Sequence, residues 1–160
     1  MKFKDRPDPA LIRRPLKVVR VKPAEALRVV HLSRVIVGLD THWFGGSTIA
    51  CTQTECKACD RDVPIVWKGF VPVGKMSDPT QVALLQITPN VIGTLEQYQL
   101  PTLGYLGLEV VYERAGKRLN SPLKCKCYSR QSVTETFDRK RVVEIVQALF
   151  RVNGRLTFAE

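Results

Sequence analysis

QVALLQITPNVIGTLEQYQLPTLGYLGLEVVYERAGKRLNSPLKCKCY, residues 81–128, decides the fold, because it strings a strand, a helix and a hairpin together in that order. The run 81–87, QVALLQI, has the apolar, β-branched composition of a strand. Thr88 and Pro89 then supply an N-cap and a first-turn proline, and Val91, Ile92, Leu95 and Tyr98 follow at helical spacing, which predicts one short helix. In 106–128 two β-type runs flank Ala115, Gly116 and Lys117, the pattern of a hairpin.

Working outward, 63–76, VPIVWKGFVPVGKM, reads as a strand, with Ser77, Asp78 and Pro79 turning it into the next. Leu27 to Leu39, LRVVHLSRVIVGL, reads as one bent strand with a bulge at Gly38. Asp138 caps a C-terminal helix carrying Val142, Val143, Ile145, Val146, Leu149 and Phe150, which leaves Arg141, Glu144, Gln147 and Arg151 largely to solvent and ends at Asn153 and Gly154. The expectation is a mainly β fold: five strands in a small barrel, a short helix between the third and fourth, and a helix at the C-terminus. That is the element order of an OB-fold, a barrel that often binds oligonucleotides.

Charge points the same way. The 160 residues hold 25 Lys plus Arg against 15 Asp plus Glu, a formal charge of +10, and such an excess fits a polyanionic partner. A membrane surface is also a polyanion, but no apolar run approaches the roughly 18 to 20 residues of a spanning helix, and MKFKDRPDP has no signal-peptide core. A cytoplasmic protein of a bacterial or phage-infected cell is expected. Residues 1–26 are basic and broken by Pro7, Pro9, Pro15 and Pro23, the composition of an extended arm; a barrel domain over 27–130 and a helix and tail over 131–160 complete the expected organisation.

Residues 40–60, DTHWFGGSTIACTQTECKACD, have no apolar periodicity and read as a loop organised by something other than burial. His42, Cys51, Cys56 and Cys59 form H-x8-C-x4-C-x2-C, and four such borderline-soft ligands suit one tetrahedral Zn²⁺ per chain. Four protein ligands leave no open position for water, so the zinc is expected to be structural. Unligated thiols and a redox or other metal role are the alternatives. Cys125 and Cys127 alternate with Lys124, Lys126 and Tyr128 along one strand, which turns the thiols to one face and the cations and ring to the other.

Single strands are held by cations that follow the phosphates and by rings on which bases stack. The candidates are Trp43 beside the metal ligands, Trp67 and Lys68 on the second strand, Tyr112 and Arg114 leading to Lys117 and Arg118 at the hairpin tip, and Lys124, Lys126 and Tyr128 on the last strand. Trp67 and Phe70 have opposite parity, so at most one of them faces outward unless Gly69 forms a bulge, and the reading favours Trp67. His31 lies mid-strand and reads as packed rather than catalytic.

The segment LGYLGLEVVYERAGKRLNSPLKCKCY, preceded by TPNVIGTLEQY, resembles the latter part of phage and bacterial single-stranded DNA-binding OB-fold proteins. The loop with one His and three Cys is similar to that of the zinc-containing helix-destabilising proteins of T-even phages, whose ligand gaps are wider. The likeness covers 27–130 and implies cooperative coating of exposed strands in replication, recombination or repair; this chain ends RVNGRLTFAE in place of an acidic recruiting tail. A second reading is a subunit of a larger nucleoprotein assembly, with RNA or other subunits, or copies of itself, as partners. Catalysis is not expected. His42 is followed by Trp43 and Phe44 rather than the H-x-E of zinc deaminases, Ala58 lies within the one C-x2-C, and the sequence has neither a phosphate-cradling Gly-rich loop nor an acidic cluster for Mg²⁺.

Overall fold

Val66–Lys75, strand β5, carries a proline in its middle, and that residue shapes the sheet around it. In the computed structural model, which describes residues 16–150 and the backbone of Phe158–Ala159, β5 pairs along one edge with β6, Asp78–Ile87. Its other edge is shared by two strands, β2 (Leu27–His31) against its C-terminal half and β3 (Val37–Phe44) against its N-terminal half. The register runs His31↔Val73 and Val37↔Phe70, so the unpaired stretch 32–36 lies opposite Val71 and Pro72. Pro72 has no N–H to donate, and a ladder is weakest there; only its carbonyl is used, accepting from Leu32 N at 2.9 Å. The single bent strand expected over 27–39 is therefore two strands. Gly38 is no bulge but pairs in register with Gly69.

The remaining elements are β1 (Val18–Arg20), β4 (Ser47–Ala50), α1 (Lys57–Asp60), a 3-10 turn at Pro89–Val91 running into α2 (Ile92–Glu96), β7 (Leu108–Arg114), β8 (Leu123–Arg130), α3 (Arg139–Leu149) and β9 (Phe158–Ala159). Two turns differ from expectation. Asp78 and Pro79 are already inside β6, and the hairpin of β7 and β8 is joined by the longer loop 115–122. β1 falls within the stretch read as an extended arm; residues 1–15 lie outside the described residues.

The strand order is β1-β6-β5-β2-β7-β8, with β3 also pairing β4 and β9. Every pairing is antiparallel except β1 with β6, so the sheet is mixed. It is also open: among the described residues β1 and β8 do not pair, and the closed five-stranded barrel expected from the element order is not formed. Side chains span the gap instead. Asn90 Nδ2 donates to Leu123 O, and Arg114 Nε donates to Val21 O at 3.0 Å, tying β8 to the 3-10 turn and β7 to the end of β1.

Alternation sorts the side chains into two layers. Val29, Val71, Val73, Leu85, Ile87, Val110 and Tyr112 fill the inside of the curled sheet, capped by Val91 and Leu95 of the helical segment. Phe70, Leu84, Val37 and Leu39 point the other way and are covered by Phe137 and by Val142 and Val146, one turn apart on α3. Asp138 caps that helix as expected, accepting from Arg141 N at 2.8 Å, whereas Leu149 is exposed. Asn153 and Gly154 lie outside the described residues. Among the described residues no helix is long and apolar enough to cross a membrane.

Candidate metal centre and nucleic-acid face

The segment read as an unpatterned loop is half hairpin. β3 turns through Gly45 and Gly46, whose φ angles of 61° and 81° are those of a two-residue turn, into β4, with Phe44 opposite Ser47. His42 sits on β3, Cys51 directly follows β4, and Cys56 and Cys59 bracket the first turn of α1. All four ligand atoms lie within 4.8 Å of one another.

The spacing fits one ion. A tetrahedron built on bonds of about 2.3 Å to sulfur and about 2.0 to 2.1 Å to nitrogen has edges of about 3.8 Å between sulfurs and about 3.6 Å between nitrogen and sulfur. Here Cys51 Sγ and Cys59 Sγ are 3.6 Å apart, and His42 Nε2 lies 3.6 Å from Cys56 Sγ and 3.4 Å from Cys59 Sγ. The histidine is oriented for the task. Its Nδ1 is 3.1 Å from the carbonyl oxygens of both Val63 and Pro64, which accept the ring N–H and leave the Nε2 lone pair directed at the sulfurs. Backbone bonds from Asp60 N to Cys56 O and from Asp62 N to Cys59 O close the turn that carries the last two thiols.

Ionisation of the thiols is uneven. Burial opposes it at Cys56, but backbone hydrogen bonds from Cys59 and Thr52, with side-chain contacts from Cys59 and Cys51, outweigh burial and bring that thiol down to about 6. Hydrogen bonding with Cys51 and Cys56 pushes Cys59 up to about 12. A cation resolves the conflict by replacing the shared protons.

The ten residues read as nucleic-acid contacts divide sharply. Tyr112 is fully buried, with its hydroxyl 2.8 Å from His31 Nε2 and its ring nearly parallel to the imidazole, the ring centres 6.1 Å apart. Burial raises its phenol well above the usual value and, with Arg130, lowers His31 to about 3, so both are neutral interior groups. Arg114 is buried as well, donating to Val21 O and Ser121 O. Neither reaches solvent as expected, because β7 turns its even-numbered residues inward. Trp67 is not the outward ring either: it lies on the core side of β5, half-buried across Gly38 and Gly69, where an added Cβ would stand 2.3 Å and 2.6 Å from the indole. Phe70 takes the outward position and is covered by α3.

The others are accessible. Lys117 and Arg118 are exposed on loop 115–122. Lys124, Lys126 and Tyr128 share the outer face of β8, while Cys125 and Cys127 pack against the inner core. Arg28, which the sequence reading passed over, joins them from β2: its guanidinium lies 5.1 Å from the Tyr128 ring centre, and Lys126 Nζ lies 5.3 Å from it. Its signal was its place between Leu27 and Val29, which alternation turns inward. Two carboxylates temper this face, Glu109 held by Arg28, Ser129 and Gln131, and Glu113 paired with Lys124 at 3.1 Å. Trp43 and half-buried Lys68 lie apart from it, on the hairpin that carries His42 and the strand beside it.

Comparison with protein-family models, with curated proteins and with solved structures finds no match to this chain.

Proposed function

We propose that this protein binds single-stranded nucleic acid, DNA in the first instance, without catalysis, through an OB-fold-like barrel steadied by one structural zinc. One observation carries the reading. Helix α3 covers the outer side of β3, β5 and β6, and the uncovered outer side of β2, β7 and β8 presents Arg28, Lys124, Lys126 and Tyr128 beside Lys117 and Arg118 of the adjoining loop. An exposed ring between two cations in a chain of net charge +10 supplies both elements of single-strand binding, counter-charge for phosphate and a surface for a base. The OB-fold assignment is supported by the helical segment that fills the space between β6 and the β7–β8 hairpin. Zinc is supported by ligand edges of tetrahedral length and by the oriented His42. With all four positions taken by side chains, the ion holds the hairpin and activates no water.

The test is a titration of the full chain with labelled single-stranded DNA, single-stranded RNA and duplex at several salt concentrations. With four to six cations on phosphate, log affinity for single strands falls against log salt with a slope of about −3 to −4. Lys124→Ala with Lys126→Ala shallows the slope by about one to two units, whereas Tyr128→Ala costs about 1 to 3 kcal/mol with the slope unchanged. Equal affinity for duplex, or binding indifferent to salt, removes the reading.

A further inference from the structure

Trp43 is 67% exposed, more than any other large apolar side chain described, and among the described residues no ring or cation stacks on it. Tyr128, by contrast, already has two cations against its ring. Register defines what surrounds the indole. Trp43 pairs with Thr48 across the hairpin, and Thr41, two residues back on the same side, pairs with Val66. Lys68, two residues along from Val66, reaches over this side, with its Nζ 3.5 Å from Thr48 Oγ1.

Lys68 is half-buried and among the described residues has no carboxylate partner. The charge that acts on it is another cation: Arg20, exposed at the end of β1, lies one strand beyond β6, where Gln86 pairs with both Arg20 and Phe70. Burial first, and Arg20 second, lower the ammonium's pKa. The apolar exposure is narrow. Ile65 and Val66 are both exposed, but consecutive strand positions point apart, so only Val66 lies on the indole's side. One flat ring flanked by threonines and cations suits a base with its phosphate better than a protein surface, whose contact centres are broad and apolar.

We infer, on the footing of the single-strand reading above, that this side of the metal-bound hairpin is a second contact point for the same strand, at which Trp43 stacks on an unpaired base and Lys68 with Arg20 holds the adjacent phosphate. The metal sets the indole's direction. His42 is the preceding residue, wholly buried and facing the sulfurs, so Trp43 is turned outward and its strand is fixed before any base arrives. The two contact points lie toward opposite ends of β5, Val66 beside the hairpin and Lys75 beside Val29, which at about 3.3 Å per residue separates them by roughly 30 Å.

The zinc-loaded full chain has two tryptophans, so Trp43→Phe and Trp67→Phe assign the emission by difference. The probe is a sixteen-residue oligothymidylate, with binding followed separately by anisotropy of a dye on the oligonucleotide. The expected result is quenching of the Trp43 component on saturation, a loss of affinity between about 5-fold and about 150-fold in Trp43→Ala at unchanged melting temperature, and largely preserved affinity in Trp43→Phe. Lys68→Ala shallows the salt slope by about 0.7. Anisotropy that rises normally while Trp43 emission stays constant and Trp43→Ala binds within twofold of the parent overturns the second contact point and leaves the β2-β7-β8 face standing. Shielding of Trp43 from iodide in the free protein also overturns it, because another part of the chain then covers the indole. If no oligonucleotide binds, both readings fall.

Discussion

Inside the curled sheet thirteen buried side chains, from Val21 to Leu123, are packed together, whereas the apolar cluster of the ligand-bearing lobe is Cys51, Cys56 and Ala58 beside the buried His42, with Phe44, Ile49, Cys59 and Val63 around them. The lobe also carries left-handed backbone at three non-glycine residues, Gln53, Glu55 and Asp62, all on segments that place ligands. Such conformations persist where something over-determines them. Burial holds the curled sheet, and so small a cluster cannot supply the lobe by the same means. The two regions are nevertheless continuous through β3 and β5, so one strand pair passes from the packed inside of the curled sheet to the four candidate ligands.

Removing a metal ligand breaks the comparison most forcefully. Cys56→Ser is expected to lower zinc from one per chain to a substoichiometric level in elemental analysis, with amide protection lost over 47–63 while Val29, Val30 and Val110 keep theirs. Simultaneous loss in both regions refutes the division. Leu85→Ala, a truncation inside the curled sheet, is expected to cost about 2 to 5 kcal/mol in denaturant unfolding with the zinc still bound below the transition.

The smallest effect comes from His31. Burial depresses its pKa from 6.5 to about 3, so the unfolded chain binds a proton there that the folded chain refuses. Its contribution is whole well above pH 6.5 and is lost as pH falls toward 3, the loss approaching about 1.4 kcal/mol per pH unit and amounting to about 1.7 kcal/mol between pH 6.5 and pH 5. Comparing His31→Gln with the parent at those two pH values isolates it. An equal pH dependence in the two proteins removes His31 as the cause.

The clustering of His42, Cys51, Cys56 and Cys59 was legible because ligand chemistry is written in residue identity and spacing, and no packing is needed to read it. The face of β8 was legible because lysines and thiols alternate there without ambiguity. The hairpin at Gly45 and Gly46 was missed although two adjacent glycines announce such a turn, because the absence of apolar alternation was given more weight. Tyr112 and Arg114 were misplaced for a different reason. A tyrosine or an arginine carries the same letters whether its polar end meets water or, as here, a buried imidazole or a backbone carbonyl, and that choice is made by strands 81 and 93 residues away in sequence. The interruption of 27–39 was written not in those residues but in Pro72, on the strand they pair with.

The parallel pairing of β1 with β6 sets a timetable for synthesis. Val18 pairs with Leu84, so 66 residues (84 less 18) must be translated after the first strand before its neighbour exists. At about 5 to 20 residues per second, β1 waits on the order of three to thirteen seconds at the ribosome before β6 emerges. β5 and β6, adjacent in the chain and antiparallel, have no such delay. The β3–β4 and β5–β6 hairpins are each closed by strands adjacent in the chain, whereas β1 has no partner until β6 has been made.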